Sequence, residues 1–248
     1  MRAAAYAGTP VADLAALLHL PRVVVFESIG STLDVAHALA GEGAPAGTLV
    51  LAEMQTMGRG RLGRSWQSAA GLGLWLTLIE RPRDASALDV LALRVGLAVA
   101  GALEPLAGRP ISLKWPNDVF LGRGKLAGVL VETRWREASV EWVAIGVGIN
   151  MQHDALPAGA AGLSSDVSRV DALARVVPAL RDAARMNGPL SSAELDVFAA
   201  RDLARGRRCR EPVRGIVRGI DAGGALLVET ADTVTAMRSG SLVLETDS

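Results

Sequence analysis

The chain has little of what a secreted or membrane-bound protein needs. Its single cysteine, Cys209, excludes a disulfide within the chain and is typical of a reducing compartment. The N-terminus lacks a basic start followed by an apolar signal segment, and no uncharged stretch reaches the roughly 18 residues of a membrane span. We therefore expect a soluble, cytoplasmic protein that has no membrane partner.

The chain also has no excess of charge of either sign. Its 26 Lys and Arg residues balance 26 Asp and Glu residues, which argues against a protein that binds nucleic acid over its whole surface. The three histidines, His19, His37 and His153, lie in unrelated contexts and suggest neither a metal site nor a catalytic triad. We expect no DNA partner and no resident metal, so any polyanion must bind at a local site.

Alternating strand and helix patterns fill most of the chain. Hydrophobic residues make up 50% of the 248 residues, enough to bury a core. Strands are predicted at 22–29, 47–55, 71–80, 111–115, 125–135 and 141–151, and helices at 31–43, 88–106, 170–188 and 191–206. Ser31 or Thr32 is placed to cap the first helix. The pattern predicts a sheet covered by helices, and its last two strands can pair as a hairpin.

From about Arg207 the pattern changes to short strands separated by glycine turns. Strands are predicted at 212–220, 225–230, 233–237 and 241–245. We therefore predict a main domain over residues 1–205 and a small β-barrel over residues 206–248. Cys209 lies in "RGRRCR", the Arg205–Arg210 stretch, which is either a basic patch for an anionic partner or a solvated edge of that barrel.

The stretch "GRGRLGR", residues 58–64, concentrates three glycines and three arginines. Glycines let backbone N–H groups approach a ligand, and guanidinium groups bind phosphate or carboxylate oxygens in pairs. The spacing fits neither a Walker A loop nor a dinucleotide-binding fingerprint. The loop indicates an anion site, although a solvated surface turn explains the same residues.

A second motif, "KWPNDVFLGRGKLAGVLVE", spans residues 114–132. Pro116 has no N–H and holds a turn, so Asn117 and Asp118 are presented at the end of a strand. Lys125 follows in an apolar run, where an unpaired charge is unfavourable. Lys125 therefore needs an anion, which is either Asp118 or a ligand.

Four motifs in this order and spacing resemble the catalytic domain of a biotin protein ligase. They are "GSTLDVA", "AEMQTMGRGRLGRSW", "LKWPNDVFLGRGKLAGVLVE" and "AIGVGINM", and the C-terminal "GIDAGGALLV" and "SGSLVL" resemble the SH3-like barrel of that family. The resemblance implies an α+β fold with a mixed-sheet catalytic domain and the C-terminal barrel. About 20 residues precede the first predicted strand, so we expect a monofunctional form without a winged helix-turn-helix domain.

The resemblance implies two half-reactions. Biotin and ATP, with Mg²⁺, form biotinyl-5′-AMP and pyrophosphate, and a lysine of apo biotin carboxyl carrier protein then takes the biotinyl group and releases AMP. The biotin carboxylate must approach an anionic α-phosphate, and two unit charges at about 4 Å repel by roughly 4 kcal/mol at an effective dielectric constant of about 20. Cations must offset that repulsion, which gives the loop arginines a purpose.

The resemblance also assigns roles to individual residues. The catalytic residues are Lys125, Arg61 and Asp118. The biotin-binding residues are Ser31, Thr32, Gln55, Gly58, Arg59, Lys125, Gly128 and Gly148. The residues that bind ATP or the adenylate are Arg59, Gly60, Arg61, Trp66, Asn117 and Asn150. Gly146 and Gly148 leave a bare strand against which a ring could press, although tight strand packing explains these two glycines equally well.

The sequence departs from the family pattern at Leu33, where many members carry Asn, so any side-chain hydrogen bond from that position is absent. A lipoate-type ligase shares the fold and the chemistry, but "GRGRLGRSW" and "KWPND" favour biotin. A nucleic-acid-binding module is an alternative of another class, disfavoured by the zero net charge and the lack of aromatic stacking positions. A homodimer is possible, and the sequence does not decide it.

Three neighbouring arginines repel one another, so we expect the loop from Met57 to Ser65 to be disordered without ligand and ordered by biotin or adenylate. Limited proteolysis with and without biotin checks this expectation. Equal cleavage rates in the two states would contradict it.

Overall fold

A computed structural model describes residues 1–82, 84–152, 156–164, 166–231 and 233–245. The helices are α1 (Val11–Leu17), α2 (Thr32–Gly41), α3 (Leu91–Ala107), α4 (Arg169–Arg185) and α5 (Ser192–Arg201). The strands are β1 (Ala5–Tyr6), β2 (Thr9–Pro10), β3 (Arg22–Ile29), β4 (Thr48–Gln55), β5 (Gly73–Glu80), β6 (Ile111–Lys114), β7 (Asp118–Leu121), β8 (Gly124–Arg136), β9 (Ser139–Asn150), β10 (Arg208–Glu211), β11 (Gly215–Ile220), β12 (Leu226–Glu229), β13 (Val234–Met237) and β14 (Val243–Leu244).

Within the described residues, seven strands form one mixed sheet in the order β3-β4-β5-β9-β8-β7-β6. Strands β3 and β4 are parallel and are connected by α2, whereas the other neighbouring pairs are antiparallel. The predicted hairpin is confirmed, because β8 and β9 pair with Arg136 opposite Ser139. A mixed sheet with packed helices confirms the α+β class.

The sheet is the middle layer of the fold, and both faces of β5 are buried. Leu74, Leu76 and Leu78 lie on one face, as their period-two spacing predicts, and join the main core with α3 and α4. Trp75 and Thr77 lie on the opposite face and are also buried. That second face is covered by α2, which contacts β4, β5 and β9. A polar side chain on the second face therefore lies between the sheet and α2 or beside it.

Helix α3 with its preceding turn has the length and composition of a membrane span. The segment Leu88–Ala107 has 20 residues and a mean hydropathy of 1.7. Half of its most apolar window is buried inside the fold, and its Arg94 is 3% exposed and ion-paired with Glu194 of α5. Because a buried core helix passes the same length and hydropathy test, this segment is weak support for a span.

Residues before β3 form structure that the sequence analysis did not predict. Helix α1 buries Leu14, and β1 buries Tyr6 completely. Burial raises the pKa of Tyr6, whose ring lies under the guanidinium of Arg169 from α4. Short elements of two to seven residues carry too little periodicity to be recognised in a sequence.

Within the described residues, the C-terminal strands form a second, antiparallel sheet in the order β13-β12-β11-β10-β14. This sheet is consistent with the predicted SH3-like barrel, and the domain boundary at residue 205 remains a prediction. Strand β10, which includes Cys209, was not predicted. Strand β10 is not an edge of this sheet, because it pairs with both β11 and β14 and buries the Cys209 side chain, but its Arg208 and Arg210 are exposed as the solvated interpretation expects.

The two sheets contact each other near β6. The indole N–H of Trp115 donates to the Gly224 carbonyl over 3.0 Å. The amide of Leu203, after α5, donates to the Leu113 carbonyl of β6 over 3.0 Å. The first bond holds the turn between β11 and β12 against the turn after β6, and residues 241–243 at the start of β14 border the cleft described below.

The ion pair between α3 and α5 gives a test of this packing. Arg94 Nε donates to Glu194 Oε1 over 2.5 Å, and Glu194 also caps α5 through Ser191. Burial alone raises the pKa of Glu194, but hydrogen bonds from Arg94 and Ser191 lower it below its usual value. We expect Arg94→Met to cost about 3–5 kcal/mol of unfolding free energy, because it leaves a largely buried carboxylate without its cation.

Urea denaturation measures this loss. Arg185→Met is the matched control, because Arg185 and its partner Asp182 have side chains that are 62% and 77% exposed. The control is expected to change the free energy of unfolding by less than about 0.5 kcal/mol. Similar losses of unfolding free energy in the two variants would show that the Arg94–Glu194 ion pair contributes no more to stability than an exposed ion pair.

Candidate active site

A cleft of about 240 Å³ opens on the α2 side of the large sheet. It lies among the N-terminus of α2, the loop after β4, the turn between β6 and β7, and the segment after β13. It brings together all the sequence-predicted site residues except Gly58 and Asn150. Those in the cleft are Ser31, Thr32, Gln55, Arg59, Gly60, Arg61, Trp66, Asn117, Asp118, Lys125, Gly128 and Gly148.

The cleft is strongly cationic. Of the described residues that line it, five carry a positive charge, and Asp118 is the one that carries a carboxylate. Burial lowers the pKa of Lys114, and the nearby cations Lys125, Arg207 and Arg64 lower it further. Burial also lowers the pKa of Arg61. The five cationic residues are Arg59, Arg61, Arg64, Lys114 and Lys125. Such a concentration of one sign attracts an anionic ligand.

Lys125 and Asp118 face each other at the wall of this cleft. A register shift between Val119 and Phe120, where β7 pairs with β8, places the two side chains together, and Lys125 Nζ lies 2.6 Å from Asp118 Oδ1. The side chains are 32% and 23% exposed, and Lys125 Nζ is 5.1 Å from the centre of the Trp66 ring. The ion pair that the sequence left open is thus present, and it lies on the cleft wall rather than in the core.

The N-terminus of α2 forms a hydrogen-bonded network at the other end of the cleft. Ser31 is the N-cap, and its hydroxyl accepts from the amide of Leu33. The amide and hydroxyl of Thr32 both donate to Gln55 Oε1, over 2.8 and 3.0 Å. Because that oxygen accepts both bonds, the Gln55 side chain is fixed with its nitrogen, Nε2, toward Ser68 Oγ, 2.8 Å away. The orientation of the amide is therefore determined by the protein.

Two members of this network were missed by the sequence analysis. The Thr77 hydroxyl donates to Thr32 Oγ1 over 2.9 Å and is completely buried in β5. Ser68 accepts from Gln55 and donates to the Trp66 carbonyl over 3.3 Å. The signal for Thr77 is a single hydroxyl in the otherwise apolar run "GLWLTLI", which a buried strand rarely holds without a partner.

Leu33, which replaces the usual Asn, is 3% exposed and also lines the cleft. A Cβ built on Gly146 would lie 3.1 Å from the Leu33 side chain, so Leu33 covers that bare position of β9. The ring that lies beside Gly148 is the indole of Trp66, a side chain of the protein, so contact of a ligand ring with Gly146 or Gly148 remains a prediction.

The indole of Trp66 covers Gly128 and Gly148. A Cβ on Gly148 would lie 2.4 Å from Trp66 Nε1, and one on Gly128 would lie 2.9 Å from the same ring. In this structure, direct contact between these glycines and a ligand is blocked by that indole. Trp66 Nε1 is buried and has no hydrogen-bond partner among the described residues, which disfavours this position of the ring.

Gly58 and Asn150 lie outside the cleft for different reasons. A Cβ on Gly58 would lie 2.3 Å from the Trp66 carbonyl oxygen, so this glycine permits close packing at the base of the loop. Asn150 lines an adjoining cleft of about 340 Å³, and its Nδ2 donates to the Lys125 carbonyl over 3.0 Å. Trp66 and Lys125 border both clefts and therefore separate them. His153, near this second cleft in sequence, lies outside the described residues.

Each arginine of the loop has its own partners. Arg59 pairs with Asp34 and Glu132, each over 3.0 Å. Arg61 donates to the Gly240 carbonyl over 3.3 Å and lies 3.5 Å from Asn117 Oδ1. Arg64 donates to Ser241 Oγ over 3.2 Å. The acidic partners of Arg59 and the C-terminal partners of Arg61 and Arg64 are contacts between distant parts of the chain, which the sequence analysis did not identify.

The described part of the chain contains no group of three or more His, Cys, Asp or Glu side chains that could hold a metal ion.

Asn117, predicted to contact ATP, donates from Nδ2 to the Val129 carbonyl over 2.6 Å. Its amide therefore holds the β6–β7 turn against β8 while its oxygen faces Arg61.

The sequence of the chain matches a known protein family. The sequence pattern of the biotin/lipoate A/B protein ligase family matches residues 25–150. A biotin–[acetyl-CoA-carboxylase] ligase of Mycobacterium tuberculosis is 33% identical over 240 residues, which cover 88% of this chain and 87% of that protein. The chain is a member of this ligase family.

Other members of the biotin/lipoate ligase family extend the comparison. The bifunctional ligase/repressor BirA of Bacillus spizizenii is 43% identical over 132 residues, 52% of this chain and 41% of that protein. The chain therefore spans less than half of that relative. The biotin protein ligase of Aquifex aeolicus in complex with biotin and ATP has a TM-score of 0.76 and 26% identity, over 92% of this chain and 100% of that one.

The buried Thr77 hydroxyl gives a test of the network at α2. We expect Thr77→Val to lower the unfolding free energy by about 1 kcal/mol, because Thr32 Oγ1 loses its donor while the volume at the site is retained. Thr77→Ser keeps the hydroxyl and leaves only a methyl-sized gap, so its Thr32 bond should persist. Urea denaturation measures the unfolding free energy, and hydrogen exchange of the Thr32 amide separates the two variants. We expect this amide to lose protection in Thr77→Val and to keep it in Thr77→Ser. Loss of protection in both variants, or in neither, would contradict the network.

Proposed function

We propose that the protein is an ATP-dependent biotin protein ligase, which forms biotinyl-5′-AMP and transfers the biotinyl group to a lysine of apo biotin carboxyl carrier protein. The observation that carries the proposal is that two clefts meet at Lys125 and that the first of them holds five cationic side chains. The chain is also a member of the biotin/lipoate ligase family. One cleft suits the acid and the other suits the nucleotide, and their shared wall is where the reacting groups must meet.

Charge is the main obstacle to the first half-reaction. A carboxylate and an α-phosphate at about 4 Å repel by roughly 4 kcal/mol at an effective dielectric constant of about 20. Lys125 and Arg61 both line the cleft and supply positive charge to the two anionic reactants and to the departing pyrophosphate. Asp118 holds Lys125 in place through the 2.6 Å ion pair.

The polar network at α2 fits the ureido group of biotin. Among the described residues, the Ser31 hydroxyl hydrogen and one N–H of the fixed Gln55 amide have no acceptor, so the ureido oxygen finds donors there. For the ring of biotin to contact Gly148, the indole of Trp66 must move off it. A displaced indole lies next to the second cleft, where Trp66 and Asn150 can bind the adenine of ATP.

Mg²⁺ enters with ATP as part of the substrate. Mg²⁺ is commonly held by one or two carboxylates together with substrate phosphates and water. Among the described residues of the cleft, Asp118 is the carboxylate available, and it is already paired with Lys125. The donors present therefore fit an ion held mainly by the triphosphate and water.

The chemistry requires no covalent enzyme intermediate. A carboxylate oxygen of biotin attacks the α-phosphorus and pyrophosphate leaves, and the carrier lysine amine then attacks the carbonyl carbon as AMP leaves. Lys125, ion-paired with Asp118, is an ammonium group with no lone pair for attack, and among the described residues of the cleft no serine hydroxyl donates to a His, Asp or Glu side chain. We place the reaction in the cytoplasm, where the carrier protein meets the enzyme directly.

Transfer to the carrier tests the function. Apo carrier protein incubated with this chain, biotin, ATP and Mg²⁺ should gain the mass of one biotinyl group at its acceptor lysine, and an equal concentration of lipoate should not displace that product. Preferential lipoylation would reassign the substrate within the family. The absence of both products would overturn the proposal.

Lys125→Met tests the position of the catalytic cation. The aliphatic stem is kept, so β8 should still pack. The stranded Asp118 side chain is 23% exposed and retains the electrostatic interaction with Arg61, so the loss of stability should be about 1–2 kcal/mol. Adenylate formation at saturating biotin and ATP should fall by about 2–4 kcal/mol of transition-state stabilisation, on the order of 30- to 1000-fold.

Thermal melting and a single-turnover adenylate assay measure the two effects, and Arg136→Met, at a side chain that is 77% exposed, is the control. A Lys125→Met protein that melts far below the parent, yet forms adenylate at the parental rate while folded, would show that the lysine is structural.

A further inference from the structure

We propose that Arg59 is the anchor of the cationic loop rather than a ligand cation, and that Asp34 and Glu132 are the positioning residues that hold it. Only the kinetic prediction, which concerns the KM for biotin, rests on the proposed function. Its structural part concerns the loop of the free protein and is tested independently.

The three loop arginines differ in how far their charge is already balanced. Arg59 Nη2 lies 3.0 Å from Asp34 Oδ1 and 3.0 Å from Glu132 Oε2, so its guanidinium faces two carboxylates. The groups that accept from Arg61 and Arg64 are a carbonyl, an amide oxygen and a hydroxyl, which carry no charge. The carboxylate that acts on Arg61 is that of Asp118, which is already ion-paired with Lys125, so an incoming anion gains more from Arg61 and Arg64 than from Arg59.

Glu132 is itself held in position. The Trp142 indole N–H donates to His37 Nδ1 over 2.9 Å, so the hydrogen of His37 is on Nε2, which donates to Glu132 Oε2 over 2.9 Å. The Trp142 ring lies under the Arg81 guanidinium, 5.7 Å from its centre. Glu132 therefore presents an oriented carboxylate to the loop, and the chain of contacts runs outside the cleft, between α2 and strands β8 and β9.

Arg59 lies where its contacts control the whole loop. The base of the loop closes through the Trp66 amide, which donates to the Gly58 carbonyl over 2.8 Å, and the Gly60 amide, which donates to the Arg64 carbonyl over 2.7 Å. Arg59 is the residue between those two glycines. Residues Leu62 to Ser65 at the tip are exposed. Fixing Arg59 to α2 and β8 thus fixes the base from which Arg61 and Arg64 project.

Limited trypsin digestion of the ligand-free chain measures the anchor directly. The scissile bonds are Arg61–Leu62 and Arg64–Ser65, identified by mass spectrometry. In the double variant Asp34→Asn/Glu132→Gln, both carboxylates become neutral amides, and the amide oxygen introduced at position 132 can still accept from His37. Cleavage should be about three- to tenfold faster, since partly exposed ion pairs contribute modestly.

Two further variants make the result specific. Glu141→Gln removes the partner of Arg136 in the same hairpin and should leave loop cleavage at the parental rate. Arg59→Met should speed cleavage as much as the double variant does, and the triple variant should show no further increase, because all three residues form one interaction. Additive effects, or parental cleavage in the double variant, would overturn the anchor.

Steady-state kinetics distinguish the two possible roles of Arg59, as the anchor of the loop or as a cation that binds the ligand. If the anchor is correct, Asp34→Asn/Glu132→Gln raises the KM for biotin about three- to tenfold and keeps kcat within about twofold, because ordering the loop now uses binding energy. If Arg59 is instead a ligand cation, neutralising its two partners frees it, and the KM for biotin falls. If the parent has no ligase activity, the proposed function fails while the cleavage rates still decide the anchor.

Discussion

The arrangement of the site depends on keeping five cationic side chains close together in a protein of zero net charge. The fold gives these cations partners of several kinds, and Lys114 lies over the ring of Phe120, 5.9 Å from its centre. Asp118 balances Lys125, carboxylates on α2 and β8 balance Arg59, and the C-terminal segment offers uncharged acceptors to Arg61 and Arg64. The cluster is thereby stabilised without being neutralised, which leaves positive charge for an anionic substrate.

The C-terminal sheet consequently belongs to the site as well as to the scaffold. Ser241, Leu242 and Val243 line the first cleft, and the Trp115–Gly224 hydrogen bond fixes that sheet beside the β6–β7 turn. On the opposite wall, bare glycines on β8 and β9 admit the Trp66 indole, whose N–H is left without a partner among the described residues. A ring with an unsatisfied buried donor is the group that a ligand can displace at least cost.

The α2 cap and the β8–β9 hairpin were predictable from the sequence, because they depend on local patterns. The convergence of the loop with the "KWPND" turn was implied by the resemblance to biotin protein ligases and not by spacing. The Glu132 partner of Arg59 and the Thr77 partner of Thr32 were not predictable. Glu132 lies 73 residues from Arg59, and Thr77 lies 45 residues from Thr32, so only the folded sheet brings them together. Strand β10 was missed because "RCRE" reads as charged, although its pairing on both sides buries Cys209.

Affinity for a stable analogue of biotinyl-5′-AMP tests the role of charge most directly. The analogue is made with its phosphate linker and again with an uncharged linker, and each is titrated into the parent, Arg61→Met and Lys125→Met. If these cations act by neutralising the phosphate, each variant loses about 10- to 100-fold in affinity for the charged analogue and less than about threefold for the uncharged one. Equal losses for the two analogues would contradict the account.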